Sequence, residues 1–145
     1  MEKQLIHNSV TCLECGETLI SRFTHDYNTC SCPQQTSVDG GLSYGKYGGK
    51  DLNKVQTNYL YNDAPHEIIR EYLERGGRGK NGDEELKYVK LKDIDDSWLQ
   101  AIIVYENEYR PQNRMLKHYL AEQKFRKKIN NYENRNNIQG HFIRS

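Results

Sequence analysis

Cys12-Leu13-Glu14-Cys15-Gly16 and Cys30-Ser31-Cys32-Pro33 are the stretches that decide the fold, with residues 16–29 between the two pairs. A Cys-x-x-Cys turn sets two sulfurs on one edge of a tetrahedron, and two such turns supply the four donors of a closed zinc site. Gly16 stands where a knuckle turn needs a positive φ. The second pair is one residue tighter, and Pro33 stiffens its exit. The spacing therefore predicts a structural zinc ion held by Cys12, Cys15, Cys30 and Cys32. A free-thiol cluster, or a site in which His25 or His7 replaces one sulfur, are the alternatives. Four cysteines would leave no open coordination position, so this zinc is expected to staple the chain rather than activate water.

Outward from the pairs, Thr18–Phe23 and Asp26–Thr29 read as the two arms of a short hairpin, and Val38-Asp39-Gly40-Gly41 reads as a turn. These bound a zinc-ribbon-like lobe at residues 8–48. Asp39 fits a turn-capping role better than cation ligation. His25-Asp26 could serve a metal-dependent nuclease or hydrolase, but no second catalytic group accompanies them. The staple makes physical sense, because only 35% of the 145 residues are apolar and the mean hydropathy is −0.98. So thin a core is short of apolar surface. No run approaches the roughly 18 apolar residues of a membrane span, and Met1–Val10 has no signal-peptide core. The expectation is a cytoplasmic chain with reduced, metal-binding thiols.

The remainder, residues 49–130, reads as an α+β and helical lobe. Residues 45–54 read as a loop. Asn62-Asp63-Ala64-Pro65 starts a helix that carries Ile68, Ile69, Tyr72 and Leu73 and stops at Gly76-Gly77. The glycine-rich Gly76–Gly82 run lacks a phosphate-loop pattern, since Glu74 stands where the first glycine belongs and Asn81 replaces the hydroxyl residue. Asn81-Gly82 reads as a tight turn into a strand at Leu86–Leu91. Asp95 caps the next helix, with Ile94 and Leu99 as a staple. Trp98, Leu99, Ile102, Ile103 and Tyr105 form its apolar stripe, ended by Pro111. Met115, Leu116, Tyr119 and Leu120 make the stripe of a final helix, giving an antiparallel pair packed on the strand. Residues 131–145 form a basic, asparagine-rich tail that reads as disordered when free. The fold class is α+β: a small zinc-ribbon-like β lobe, then a strand and an α-helical lobe.

Two segments resemble known families. Cys12-Leu13-Glu14-Cys15-Gly16-Glu17, Ile20-Ser21, His25-Asp26-Tyr27, Cys30-Ser31-Cys32 and Val38-Asp39-Gly40-Gly41 resemble an uncharacterised cysteine-rich family of bacterial and phage proteins. Arg78–Asp83, Leu86–Ile94 and Ser97–Ile102 resemble a segment of small phage proteins. Neither resemblance implies an activity; together they imply a phage or prophage source.

Charge is segregated. Residues 1–109 carry 12 Lys/Arg against 18 Asp/Glu, net −6, and residues 110–145 carry 9 against 2, net +7. With no catalytic constellation, the expectation leans away from an enzyme. It favours a non-catalytic module that binds a host or phage protein, such as a host-takeover or anti-defence factor. The alternative is a nucleic-acid-binding factor in which Arg126, Lys127 and Lys128 contact phosphates while Tyr132, His141 and Phe142 stack. A hydrolase using His25 and Asp26 is the third reading.

Overall fold

The computed structural model describes the backbone of residues 3–144 and the side chains of residues 3–133. The fold is α+β, and the chain forms two compact units, residues 1–73 and 74–145.

The first unit is built from short antiparallel strands. β1 (Leu5–His7) pairs with β8 (Leu60–Tyr61). β2 (Ser9–Cys12) lies between β3 (Thr18–Ile20) and β7 (Val55–Thr57). β5 (Ser37–Asp39) lies between β4 (Asn28–Thr29) and β6 (Lys46–Gly48). Strand alternation turns Val10, Leu19 and Val38 inward, where they form one core with Cys12 and Cys30. The segment expected as a lobe, 8–48, thus sits inside a larger unit, because β7 adds its edge to β2.

The expected hairpin between Thr18–Phe23 and Asp26–Thr29 does not form. β3 pairs back onto β2, and β4 pairs onward with β5. The reason is that each cysteine knuckle is itself a hairpin turn, which fixes its flanking strands as partners. Between β3 and β4 the chain bends sharply at His25, whose φ is 68°. Residues 45–54, expected as loop, contain β6 and a single 3-10 turn at Leu52–Lys54 capped by Asp51.

The turn expected at Val38–Gly41 starts later, because Val38 and Asp39 belong to β5 and the chain turns from Gly40 to Tyr44. A buried polar cluster holds this strand end and turn from beneath. Asn8 Nδ2 donates to Asp39 O at 3.0 Å and Gly41 O at 2.9 Å. Ser21 Oγ accepts from Gly41 N at 2.9 Å and donates to Asp26 O at 2.7 Å. Gly41 has a φ of 53°, and a Cβ there would lie 2.3 Å from the Phe23 carbonyl carbon. Only glycine permits this approach.

α1 (His66–Tyr72) begins directly after Pro65, which takes the cap position itself with no side-chain cap bond, rather than standing in the first turn behind a cap at Asp63 or Ala64 as expected. It stops at Tyr72, short of the expected Gly76-Gly77, because those glycines belong to a strand.

That strand opens the second unit. β9 (Glu74–Gly77) pairs antiparallel with β10 (Lys87–Lys90), setting Gly77 opposite Lys87 and Arg75 opposite Val89. The glycines seat aromatic rings rather than end a helix. A Cβ at Gly77 would come within 2.8 Å of the Trp98 ring. α2 (Asp96–Tyr109) is capped by Asp95, whose Oδ1 accepts from Trp98 N at 2.8 Å. Ile94 and Leu99 flank the cap, both buried. α3 (Leu116–Arg144) follows a turn fixed by Asn113, whose Oδ1 accepts from Met115 N.

Three hydrogen bonds show that α2 and α3 run antiparallel: Asn113 to Glu106, Gln123 to Gln100, and Arg126 to Asp96. Leu99, Ile102 and Ile103 of α2 and Leu116 and Tyr119 of α3 are buried, as are Met115 and Leu91. Tyr105 and Leu120, expected in the stripes, are exposed, and Glu106 takes an interior place instead. A buried carboxylate is tolerated only with strong partners. Glu106 has Arg75 Nη1 at 2.8 Å and Asn113 Nδ2 at 2.9 Å.

Candidate metal centre

The first knuckle is the turn between β2 and β3. Cys12 ends β2, its N–H bonded to Glu17 O at 2.9 Å, and Gly16 N donates to Cys12 O at 2.7 Å. Gly16 has a φ of 81°, so the turn closes within five residues, from Cys12 to Gly16. The second knuckle joins β4 to β5. Cys30 N donates to Thr36 O at 2.9 Å and Gln35 N to Cys32 O at 3.0 Å, with Gln35 at a φ of 54°. Gln34 ties this turn to the chain after β6: its side-chain amide exchanges hydrogen bonds with the Asp51 backbone, at 2.6 and 3.1 Å.

The two turns bring the four expected cysteines together, with their Sγ atoms all within 4.8 Å of one another. Cys30 and Cys32 lie 3.6 Å apart and Cys12 and Cys32 3.7 Å apart. A tetrahedral thiolate site with metal–sulfur bonds of about 2.3 Å has sulfur–sulfur edges of about 3.8 Å. The donor set therefore fits a metal ion with little movement. Cys12 and Cys30 are buried, Cys32 is half-buried and Cys15 faces solvent.

The surroundings favour charged sulfur at some positions. Thr36 N donates to Cys30 Sγ at 3.2 Å. The Thr36 hydroxyl is buried and lies beside the Cys12 sulfur. That hydroxyl leads the effects that hold Cys12 down at about 6, against the opposing pull of burial. Burial, followed by its sulfur neighbours, pushes Cys32 up to about 12. Without a cation, four clustered thiols cannot all ionise.

Neither histidine weighed as a substitute ligand joins the cluster. His7 Nε2 lies 2.9 Å from Ser9 Oγ, and His25 Nδ1 lies 3.4 Å from the Tyr44 hydroxyl. Asp26 accepts from Arg22 N at 2.8 Å and from Asn28 Nδ2 at 3.1 Å, which is turn-capping geometry. Asp39 Oδ1 accepts from Gly40 N at 2.8 Å. The His25–Asp26 pair thus points its groups at the turns around it.

The three basic residues weighed as phosphate contacts occupy different environments. Arg126 Nε bonds to buried Glu122 at 2.7 Å, Nη1 to Asp96 at 2.8 Å and Nη2 to Leu91 O at 3.0 Å. Lys127 and Lys128 are exposed, as is Tyr132. The side chains of His141 and Phe142, and those of the 131–145 tail from residue 134 on, lie outside the described residues.

Sequence reasoning missed the Glu122–Arg126 pair, although the i,i+4 spacing of acid and base was there to find. It also missed Thr36 and Asn8, which carry no local signal. Among the described residues, no helix is long and apolar enough to cross a membrane.

A family described as a domain of unknown function (DUF7695) matches residues 4–49, a span that takes in both cysteine pairs and the Val38-Asp39-Gly40-Gly41 segment. The searches of curated proteins and of solved structures found no match.

Proposed function

We propose that Cys12, Cys15, Cys30 and Cys32 bind one structural zinc ion, and that the protein is a non-catalytic interaction module for another protein. The observation that carries the reading is the sulfur cluster, all within 4.8 Å, with edges near those of a tetrahedral thiolate site. Four thiolates suit zinc, and they complete its coordination, so water finds no open position for hydrolytic chemistry. When bound, the ion would supply a fixed point that joins two hairpins around a small core.

Support for a binding role comes from the loops that the knuckles fix. Leu13 at the first knuckle, and Phe23 and Tyr27 between the two, are exposed on a scaffold with little apolar surface to spare. The partner in this reading is a host or phage protein of the bacterial cytoplasm, in keeping with the resemblance to bacterial and phage families. A nucleic-acid reading draws on exposed Lys127 and Lys128, but it lacks Arg126, which is already engaged.

Affinity capture from bacterial lysate with zinc-loaded protein, followed by titration of each candidate in purified form, tests the proposal. A direct, stoichiometric protein partner lost in Cys15→Ser supports it. Salt-dependent binding of nucleic acid with no protein partner would replace it with the second reading.

A further inference from the structure

The second unit contains a cleft that the metal centre does not explain. It lies between the β9–β10 hairpin and the first turns of α2, and its volume is about 650 Å³. That size falls within the range of ligand-binding clefts. Trp98, Val89 and Ala101 supply its apolar wall, and Gly77 backs the indole, so the ring is held in place by close contact with the strand.

The rim is charged in both signs. Arg78, Lys80 and Lys87 line it, and so do Glu84 and Glu85. Among the described residues none of these five side chains forms an ion pair. Opposite charges that share a cleft without neutralising each other are complementary to a ligand that carries both signs. A nucleotide or nucleic-acid strand brings negative charge alone, and the two glutamates, with the capping Asp95 that also lines the cleft, oppose it. A purely cationic ligand meets three positive groups. We propose that this cleft binds a linear peptide segment of a partner protein, with an apolar anchor side chain set against Trp98 and charged residues of both signs flanking it. This deepens the interaction-module reading and rests on it. A rigid aromatic wall and a charged rim are the anatomy of an anchor pocket.

Trp98 is the single tryptophan of the chain, so its emission reports on the cleft directly. The probes are synthetic heptapeptides with a central phenylalanine flanked by glutamates on one side and lysines on the other, made in both orders. Control peptides have a central alanine, all-glutamate flanks or all-lysine flanks, and ATP serves as the nucleotide control. The full chain should show a saturable change in Trp98 emission with a mixed-charge peptide. Affinity should fall at least tenfold when the central phenylalanine is alanine.

Ala101→Phe fills the cleft from an exposed helix position and should weaken binding at least tenfold by calorimetry, with an unchanged far-ultraviolet spectrum. Lys87→Glu, also at an exposed position, gives a second variant and should shift the preference among the charged flanks. No saturable response to any mixed-charge peptide overturns the site, as does tighter binding of ATP or of an all-glutamate peptide. Binding unchanged in Ala101→Phe overturns it too. If wild type and Ala101→Phe capture the same directly binding partner equally well, the cleft is refuted while the module reading stands. If the peptide response is present and no protein partner exists, the module reading falls, and with it the assignment of the cleft to a partner's segment.

Discussion

Replacing Arg126 by alanine should destabilise the second unit severely, while replacing its neighbour Lys127 should not. Arg126 is 17% exposed and its guanidinium satisfies three groups from three parts of the unit: Glu122 on α3, Asp96 on α2 and the Leu91 carbonyl. The Glu122 side chain is 0% exposed, so its charge loses the Arg126 partner with no gain of water. Removing one partner of a buried ion pair costs about 3–5 kcal/mol, far more than the pair contributes when intact. Taking the lower end, a unit of this size should lose on the order of 12–24 °C in Tm. Lys127 is exposed and should shift Tm by no more than about 4 °C. The assay is thermal unfolding followed by circular dichroism and by Trp98 emission, which reports this unit. An Arg126→Ala protein that melts within a few degrees of wild type refutes the reasoning. The result would then return Arg126 to the surface as a candidate phosphate contact.

Other consequences follow from the same geometry. Gly41→Ala places a Cβ 2.3 Å from the Phe23 carbonyl carbon at a φ of 53°, and should lower the urea midpoint of the first unit by the equivalent of about 1–3 kcal/mol. Burial pushes Glu106 upward, but hydrogen bonds from Asn113 and Arg75 outweigh it and hold its carboxyl below the ordinary range. A depressed carboxylate stabilises the fold above its unfolded pKa of about 4.3, and that contribution is lost as pH falls through the lower folded value. Glu106→Gln should therefore flatten the decline in Tm below about pH 4; an unchanged acid limb would contradict the assignment. Asp95→Ala should lower the Tm of the second unit at neutral pH. Its hydrogen bonds to Trp98 N and Ser97 hold Asp95 below its ordinary pKa, so the difference from wild type should shrink in acid.

The features legible in the sequence are those set by residues close in the chain. The cysteine pairs, the Asp95 cap and the helices on either side of Pro111 all stand where local rules put them. What escaped depends on partners far away. Gly76-Gly77 reads as punctuation, and only the Trp98 ring, some twenty residues on, reveals it as a seat inside a strand. The strands at 46–48 and 55–57 are short and carry lysine or glutamine, and they exist because β5 and β2 offer free edges. Arg126 is the instructive case at the site level. It sits in a run with Lys127 and Lys128 that composition treats as one basic patch, yet helix geometry turns the first residue inward and leaves the other two outside. Glu106 was hidden for the complementary reason, since a charged residue inside a helix stripe becomes credible only once Arg75 and Asn113 are seen to reach it.

The metal content of the purified full chain, measured together with sulfur coordination by X-ray absorption, bears most directly on the central claim. One zinc per chain is expected, in a four-sulfur shell at about 2.3 Å, with loss of the β-rich first unit when a chelator removes it. A protein that folds identically with no metal, or one whose zinc shows nitrogen or oxygen neighbours in place of a cysteine sulfur, would contradict it.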